Sequence, residues 1–481
     1  MTRDAVLVVG GGITGLATAH SLARDGIPVT LAEAGSRLGG KVSTERADGF
    51  VIEGGPDSIL AIRPAGIALA RELGLGDQLI GTRGTRRVYI RHRGGLVPIP
   101  EGLGLVLPTR AGPFVRTGLF SLAEKARMAK DVAWPRILGP EDVAVGTFLR
   151  TRLGSPLVDR LAGPLVGGIY GTPIDELSLD AVVPQLRVAE RDHRSLLLAG
   201  LADGRAMRAS AAARPTGEPG FGTFASLRDG MDVLVTALGA SLAASGVDVQ
   251  TGRPVRSLRR VGTDVAARFA DGSLGRFGAV VIATPAPVAA ALVADEVPGA
   301  AAVLTTIPHG SSIVVALGYP RDSVGRELDG HGYLVPAGKG AISAATWASE
   351  KWPGRAPDGM VLVRLSVRDE PRWTTSDDAT LIAAARDDVE RTLRISPEPV
   401  LARLTRWTGS MPRYTVGHLG RVAAIEAAMA AWPAVTLAGA SYRGVGLPDC
   451  IAQGQAAAAR VGAWLASDPA SADLESVALA G

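Results

Sequence analysis

The first 57 residues constrain this chain more than any other stretch: an apolar strand runs into a glycine-rich turn, a helix comes next, and a second strand ends in an acid. Ala5-Val6-Leu7-Val8-Val9 is a run of β-forming residues suited to a buried parallel strand, and it enters Gly10-Gly11-Gly12-Ile13-Thr14-Gly15 without a break. Gly10, Gly12 and Gly15 satisfy G-x-G-x-x-G. The first permits a tight turn, the second lets a pyrophosphate approach the backbone, and the third lets the helix pack on the strand. The free N–H groups at the helix start then face the phosphates. Val29-Thr30-Leu31 reads as the second strand, and Glu33 follows Gly12 by about the 20 residues expected of an acid that binds a ribose hydroxyl. An acid there argues against a 2′-phosphate. In a chain with 61 glycines a bare G-x-G-x-x-G says little, and its context between strand, helix and acid is what makes it a dinucleotide site.

With 481 residues the chain has room for two or three domains and a large core. Hydrophobic residues make up 47%, but Gly, Pro or Arg breaks every apolar stretch well short of the span a membrane helix needs, so no transmembrane helix is expected. The first strand begins by Ala5, leaving no room for a basic region and an apolar signal core, and the expected location is the cytoplasm. Net charge is only +4, while the 46 arginines against five lysines set a pI of 9.4. That excess is too mild and scattered for a nucleic-acid partner. It suits a protein that handles anionic small molecules or touches an anionic membrane surface peripherally, but a GC-rich genome is the favoured explanation. Cys450 is the only cysteine, which excludes a disulfide within the chain, an Fe–S cluster and a Cys-based zinc site. His20, His92, His193, His309, His331 and His418 show no ligand spacing, so no metal is expected.

Further along, Pro64 opens and Gly74 closes a helix, and residues 89–98 with Gly94-Gly95 at their centre read as a hairpin. From about residue 112 to 220 helical periodicity takes over, with Ser121-x-x-Glu124 matching a capping box. Residues 202–220, rich in Ala, Arg, Pro and Gly, read as a mobile loop at its end. Strands are expected at 223–227, 247–250, 254–258, 265–270 and 279–285, with a helix over 232–245 and a turn at Asp271-Gly272. Residues 311–317, 341–347 and 360–367 predict a second sheet covered by a helix over 377–393, and the chain is expected to return to the nucleotide domain near Arg406 for a strand at 435–438 and a helix at 451–465.

The stretch beginning at Glu33 is more specific. Glu33-Ala34-Gly35-Ser36-Arg37-Leu38-Gly39-Gly40-Lys41, and then Phe50-Val51-Ile52-Glu53-Gly54-Gly55-Pro56-Asp57, resemble the E-x-x-x-R-x-G-G-K/R segment of FAD-containing amine oxidase-like proteins. In those proteins the arginine and the glycine backbone serve the diphosphate and the ribityl chain. A second signal is Leu437-Ala438-Gly439-Ala440-Ser441-Tyr442-Arg443-Gly444-Val445-Gly446-Leu447-Pro448-Asp449-Cys450. A strand, a glycine-rich turn and a helix opened by Pro448 aim another positive helix terminus at a ligand. Together with GGPDSIL, RWTGSMPRY, SLRDGMDVL and LVGGIYGTPIDELSL, this segment resembles the oxygen-dependent porphyrinogen oxidases, on their bacterial coproporphyrinogen III oxidase branch, from residue 5 to about 466.

The resemblance implies an α/β chain with a discontinuous Rossmann-type FAD-binding domain (1–85, 222–300 and 406–470), a mixed-sheet substrate domain (86–111 and 301–405), a helical insertion (112–221) and a flexible tail (471–481). It implies noncovalent FAD held by Gly10, Gly11, Gly12, Ile13, Thr14, Gly15, Glu33, Ala34, Arg37, Gly40, Lys41, Gly54, Gly55, Pro56 and Asp57. Val255 falls where the family holds the adenine, Trp407 where it touches the flavin, and Gly439, Val445, Gly446, Leu447 and Pro448 where a helix terminus meets the pyrimidine edge. Asp57 reads better as a cap on backbone near the flavin than as a base. The substrate would be a porphyrinogen, with O2 as oxidant. Loss of hydride from a methylene bridge gives a cation stabilised by its pyrroles, and a pyrrole N–H can release the proton, so no dedicated base is required. Three such rounds give the porphyrin. Arg63 is the candidate for a substrate carboxylate, with a surface charge at a helix start as its other reading, and Gly167, Gly168, Ile169 and Tyr170 align with the segment beside the tetrapyrrole. Relatives often carry a larger residue at the place of Gly167. Cys450 lacks the context of a thioether to flavin, and Tyr442 reads as packing rather than as an amine oxidase cage.

Protoporphyrinogen oxidase, with two propionates on its substrate instead of four, is the nearest alternative. An amine oxidase or carotenoid desaturase conflicts with LVGGIYGTPIDELSL. A non-catalytic protein of the same fold tends to lose the phosphate glycines or the ribose acid, and both are present here. A coproporphyrin ferrochelatase partner follows from pathway logic alone, and the oligomeric state is left open.

Overall fold

The computed structural model describes residues 5–84, 87–212 and 221–467. Its organising element is a five-stranded, all-parallel sheet with the strand order 248–250, 29–32, 6–9, 279–282, 435–437. Val6–Val9, Val29–Ala32 and Ala279–Ile282 are buried along their whole length, because both faces of a parallel sheet are covered. Alternation at period two divides them between two cores. Leu7, Val9, Val280 and Ile282 face the helices Ala286–Val293, Pro298–Thr305 and His418–Met429 and a small antiparallel sheet of Val255–Val261, Asp264–Phe269 and Leu274–Phe277. Val6, Val8, Ala279 and Val281 face the helices Ile13–Arg24, Asp232–Ala244 and Leu447–Ser467.

Two of those helices cross in near contact. A Cβ at Gly454 would lie 2.4 Å from the Thr14 carbonyl oxygen, and the Thr18 hydroxyl donates to the Gly454 carbonyl at 3.1 Å. The first and last helices of the fold are thereby locked beside the phosphate turn.

A second, seven-stranded mixed sheet runs in the order 401–412, 309–320, 360–367, 342–347, 332–334, 88–92, 95–98, and only the 332–334/88–92 pair is parallel. The helix Asp378–Leu393, capped by Asp377 accepting from the Thr380 amide at 2.7 Å, lays Leu381, Ala385, Val389 and Leu393 on it. The boundary expected at Arg406 falls inside the edge strand Leu401–Pro412 of this sheet. The hairpin expected at 89–98 pairs Val88–His92 with Gly95–Pro98, and its turn places both Arg93 and Gly94 at positive φ.

Helices fill the region from Ala111 to Ala212 around a core of their own. The capping box is present in full: the Ser121 amide donates to Glu124 at 2.7 Å and the Glu124 amide to the Ser121 hydroxyl at 3.3 Å. Arg152, wholly buried, is neutralised by Asp131 at 2.7 Å and by Glu190 at 3.4 Å. Two features depart from expectation. Residues 202–212, expected in a loop, continue the helix Leu196–Ala212, because small residues there let it pack closely; a Cβ at Gly204 would lie 2.1 Å from the Thr109 carbonyl oxygen. Residues 213–220 of that segment lie outside the described residues, as does the tail 471–481. The second departure is a π-helix over Val158–Gly167 that contains Pro164, and such widened turns are frequent at functional sites.

Candidate active site

The carboxyl ends of the parallel strands, the face of the seven-stranded sheet and the π-helix enclose a cavity of about 1150 Å³. Single small-molecule pockets run from about 300 to 1,000 Å³, so this cavity lies just above that range.

The phosphate turn shows what each glycine does. Gly10 takes φ +103°, which favours glycine, and a Cβ at Gly15 would sit 1.9 Å from the Gly10 carbonyl oxygen, so the third glycine is needed for helix-on-turn packing. Gly11 lies off the wall with its amide donating to Glu33 Oε2 at 2.6 Å. Gly12, at the N-cap of Ile13–Arg24, faces open space: nothing lies within 4 Å of where its Cβ would be, and it lines the cavity with Ile13 and Thr14. A cradle that a methyl group would fill, at a helix start with no acid in its first turn, fits a diphosphate.

Glu33 and Ala34 line the same wall. The Glu33 carboxylate takes backbone amides on both oxygens, from Gly11 and from Gly35 at 2.6 Å, which orients it and leaves each oxygen further acceptor capacity. Val255 lines the cavity beside it. Arg37 reaches the wall but spends its guanidinium on the carbonyls of Leu38, Gly40 and Val42, bracing the loop that presents Gly40 and Lys41. Lys41 donates to the Ser410 carbonyl at 2.5 Å, and burial lowers its pKa.

Of the Gly54-Gly55-Pro56-Asp57 segment, Gly55 and Pro56 line the cavity. Gly54 lies behind it, its carbonyl accepting the Trp407 indole N–H at 2.7 Å, while the indole itself is on the wall. Asp57 also lies behind the wall, where Lys351 at 2.8 Å and the Trp352 indole N–H at 3.2 Å hold it. Burial alone would raise the Asp57 carboxyl, but the charges of Lys351 and Arg364 outweigh it and hold the group well below the usual carboxylate range. Among the described residues the Asp57 carboxylate is held by side chains, Lys351, Trp352 and the Ser58 hydroxyl at 2.9 Å, rather than by the backbone expected.

Gly439, Val445, Gly446 and Leu447 line the cavity, with Gly439 at φ +126°, while Pro448 sits one residue inside the helix, off the wall. Cys450 is on the wall, its thiol pushed up to about 11 by burial. Tyr442 is packed with Val422 and Ile425 in the core. Gly167, Gly168 and Ile169 form the opposite side. Gly167 is small because a Cβ would lie 2.9 Å from the Thr172 carbonyl oxygen, whereas nothing lies within 4 Å of a Cβ at Gly168. Tyr170 and Arg63 lie off the wall. Arg63, largely exposed, pairs with Asp449 at 3.3 Å, and Asp449 packs against the cavity-lining Gly446.

Sequence reasoning missed several side chains. Arg364 on the strand Met360–Val367 lines the cavity and donates to the Glu53 carbonyl at 3.0 Å and the Gly55 carbonyl at 2.5 Å. A lone arginine in an apolar strand was its only signal. Tyr414, the last residue of the RWTGSMPRY segment, donates to the Ala440 carbonyl at 2.7 Å and accepts the Gly444 amide at 2.7 Å. Among the described residues no cluster of three or more His, Cys, Asp or Glu could hold a metal, and no helix is long and apolar enough to cross a membrane.

A dinucleotide cradle at the carboxyl end of a parallel sheet, joined to a second sheet by a large cavity, defines a protein of the dinucleotide-binding class. The family described as flavin containing amine oxidoreductase matches residues 13–462. The coproporphyrinogen III oxidase of Propionibacterium freudenreichii subsp. freudenreichii is 43% identical, over 96% of this chain and 92% of that protein. The coproporphyrinogen III oxidase of Bacillus subtilis strain 168 is 36% identical, over 94% and 96%. A crystal structure from Exiguobacterium sp. 255-15, assigned as a protoporphyrinogen oxidase, superposes with a TM-score of 0.82 at 31% identity, covering 96% of this chain and 99% of that one. The chain belongs to the flavin-containing amine oxidoreductases, among the coproporphyrinogen III oxidases.

Proposed function

We propose that this protein oxidises coproporphyrinogen III to coproporphyrin III in heme biosynthesis, with noncovalently bound FAD and with O2 as the final acceptor, releasing H2O2. One observation carries the reading: the Gly12 turn, the residue 439–447 turn and the Gly167–Ile169 wall all line a single cavity. The relatives supply the substrate class.

When bound, FAD supplies the hydride acceptor and hands the electrons to O2. The chain's residues bind and orient. The helix start at Gly12 holds the diphosphate, Glu33 the adenosine ribose, and residues 439–447 with Lys41 the isoalloxazine. Cys450 stays a protonated thiol, which favours noncovalent binding. The open face of Gly168 admits a flat macrocycle, and Arg63, largely exposed and paired with Asp449 at 3.3 Å, can exchange that partner for a propionate. Carboxylates on the wall are mostly engaged: Asp159 and Asp175 with Arg150, Asp369 with Arg413, and Glu33 with backbone amides. That arrangement suits a reaction in which a pyrrole N–H releases its own proton.

Oxygen uptake and porphyrin fluorescence, followed on FAD-loaded protein given coproporphyrinogen III and protoporphyrinogen IX side by side, test the proposal. Preference for the four-carboxylate substrate is the expected result. Preference for protoporphyrinogen IX would favour the second reading, which the Exiguobacterium structure supports. Turnover of neither would overturn both. Handing a photoreactive porphyrin to a ferrochelatase belongs to the same proposal, and a pull-down with purified ferrochelatase that shows no enrichment removes that part.

A further inference from the structure

We propose that Tyr414 is a positioning residue that fixes the residue 439–447 turn against the flavin, with His418 as its support. The inference rests on the flavin reading of the cavity. That turn is intrinsically loose, since Gly439 at φ +126° and Gly444 at φ +117° bracket it and glycine contributes no steric restraint. Its geometry must come from outside.

Two stacked rings contribute to it, beside the Ala286 amide, which donates to the Ser441 hydroxyl at 3.1 Å, and Glu426, which pairs with Arg443 at 2.7 Å. The Tyr414 phenol, 1% exposed, reaches across the turn and bonds both sides, donating to the Ala440 carbonyl at 2.7 Å and accepting the Gly444 amide at 2.7 Å. The ring lies on the His418 imidazole with centroids 3.9 Å apart and planes 15° apart. His418 Nε2 meets the Tyr442 carbonyl at 2.8 Å, so Nε2 carries the proton and donates, while Nδ1 has no partner. The backbone groups of Ala440, Tyr442 and Gly444 are thus gripped from one side, while Gly439, Ala440, Ser441, Val445 and Gly446 present the other side to the cavity.

Tyr414 also touches the opposite wall. Its ring lies 6.0 Å from that of Tyr170, the neighbour of cavity-lining Ile169, and its carbonyl accepts the Ser178 amide at 2.8 Å. A phenylalanine would satisfy this packing. Of the Tyr414 side chain, the hydroxyl alone bonds the turn, and that separates positioning from filling.

The test is Tyr414→Phe in the FAD-loaded protein, with Tyr89→Phe as control. Tyr89 loses a comparable bond, to Asp329 at 2.5 Å, but that partner, unlike Ala440, is not on the cavity wall. The visible absorption and the midpoint potential of the bound flavin are read beside turnover of coproporphyrinogen III. Tyr414→Phe is expected to shift both flavin signatures and to lower kcat about tenfold with KM within about twofold, while Tyr89→Phe changes none of these. His418→Gln, which retains a donor for Tyr442, is expected to lie nearer wild type than His418→Leu, and this pair decides the matter on the same readouts should Tyr414→Phe fail to fold. Flavin signatures in Tyr414→Phe equal to wild type would overturn the proposal, whatever the loss of thermal stability. If the wild type holds FAD yet oxidises neither porphyrinogen, the substrate reading fails while the flavin signatures still decide the role of Tyr414.

Discussion

The Lys351 ammonium lies 2.8 Å from the Asp57 carboxylate, joining the helix Ala348–Lys351 beside the seven-stranded sheet to the segment that presents Gly55 and Pro56 to the cavity. Both side chains are largely buried, so removing Lys351 leaves the Asp57 carboxylate to the Trp352 indole, the Ser58 hydroxyl and the charge of Arg364. Lys351→Met is expected to cost about 2–4 kcal/mol in chemical denaturation near neutral pH. The pH dependence follows from the depressed Asp57 carboxyl. The folded chain binds that proton more weakly than the unfolded one, so the stabilisation is complete above about pH 4 and drains away as pH falls below it. The thermal midpoint of the wild type should therefore fall more steeply on acidification than that of Lys351→Met; parallel curves would show that the pair does not set this dependence.

The two outer glycines of the phosphate turn and the middle one should fail differently. Gly15→Ala drives a methyl group onto the Gly10 carbonyl, 1.9 Å away, and is expected to destabilise even FAD-free protein by about 1–3 kcal/mol. Gly12→Ala meets nothing within 4 Å and keeps an ordinary backbone conformation at φ −71°, so FAD-free stability should fall by no more than the about 1 kcal/mol typical of alanine at a helix N-cap. Its methyl group instead occupies the cradle, and FAD titration should report at least about tenfold weaker binding. Unchanged FAD affinity in Gly12→Ala would remove Gly12 from the diphosphate site.

Glu370 lines the cavity, and the other acids there are held by cations or backbone amides. If the pyrrole releases its own proton, no protein base is needed, and Glu370→Gln should retain kcat within about twofold across neutral pH. A loss of about 100-fold or more, with a new slope in the pH–rate profile, would make Glu370 the proton acceptor instead.

How much of the fold and site is legible in the sequence depends on how local each signal is. The phosphate turn, the capping box at Ser121 and Glu124 and the hairpin at Gly94 are written within a few residues of one another, and each lies where the local pattern puts it. Residues 202–212 misled because alanine and glycine in low-complexity sequence suggest a loop, whereas here they allow a helix to press against Thr109. Arg63 and Asp57 were judged by proximity in sequence to a flavin segment, but the wall is decided by partners far away, Asp449 for one and Lys351 for the other. Arg364 and Tyr414 act across more than 300 and about 26 residues of chain respectively, and no window of sequence contains such a pairing.

Two adjacent glycines on the substrate side offer the sharpest division between folding and binding. Gly167 faces backbone: a Cβ there would lie 2.9 Å from the Thr172 carbonyl oxygen, whose own amide donates back to the Gly167 carbonyl at 3.2 Å. Gly167→Ala should therefore lower stability by about 1–3 kcal/mol through displacement of residues 171–174. Gly168 faces the cavity, with φ −65° and no atom within 4 Å of its Cβ position, so a larger residue folds without strain and projects into the space proposed for the macrocycle. Gly168→Leu should keep the FAD content and thermal midpoint of the wild type while raising KM for coproporphyrinogen III about tenfold or more. Loss of flavin from Gly168→Leu would mean that this wall bounds the cofactor and not the substrate, whereas an unchanged KM would place the macrocycle elsewhere in the cavity.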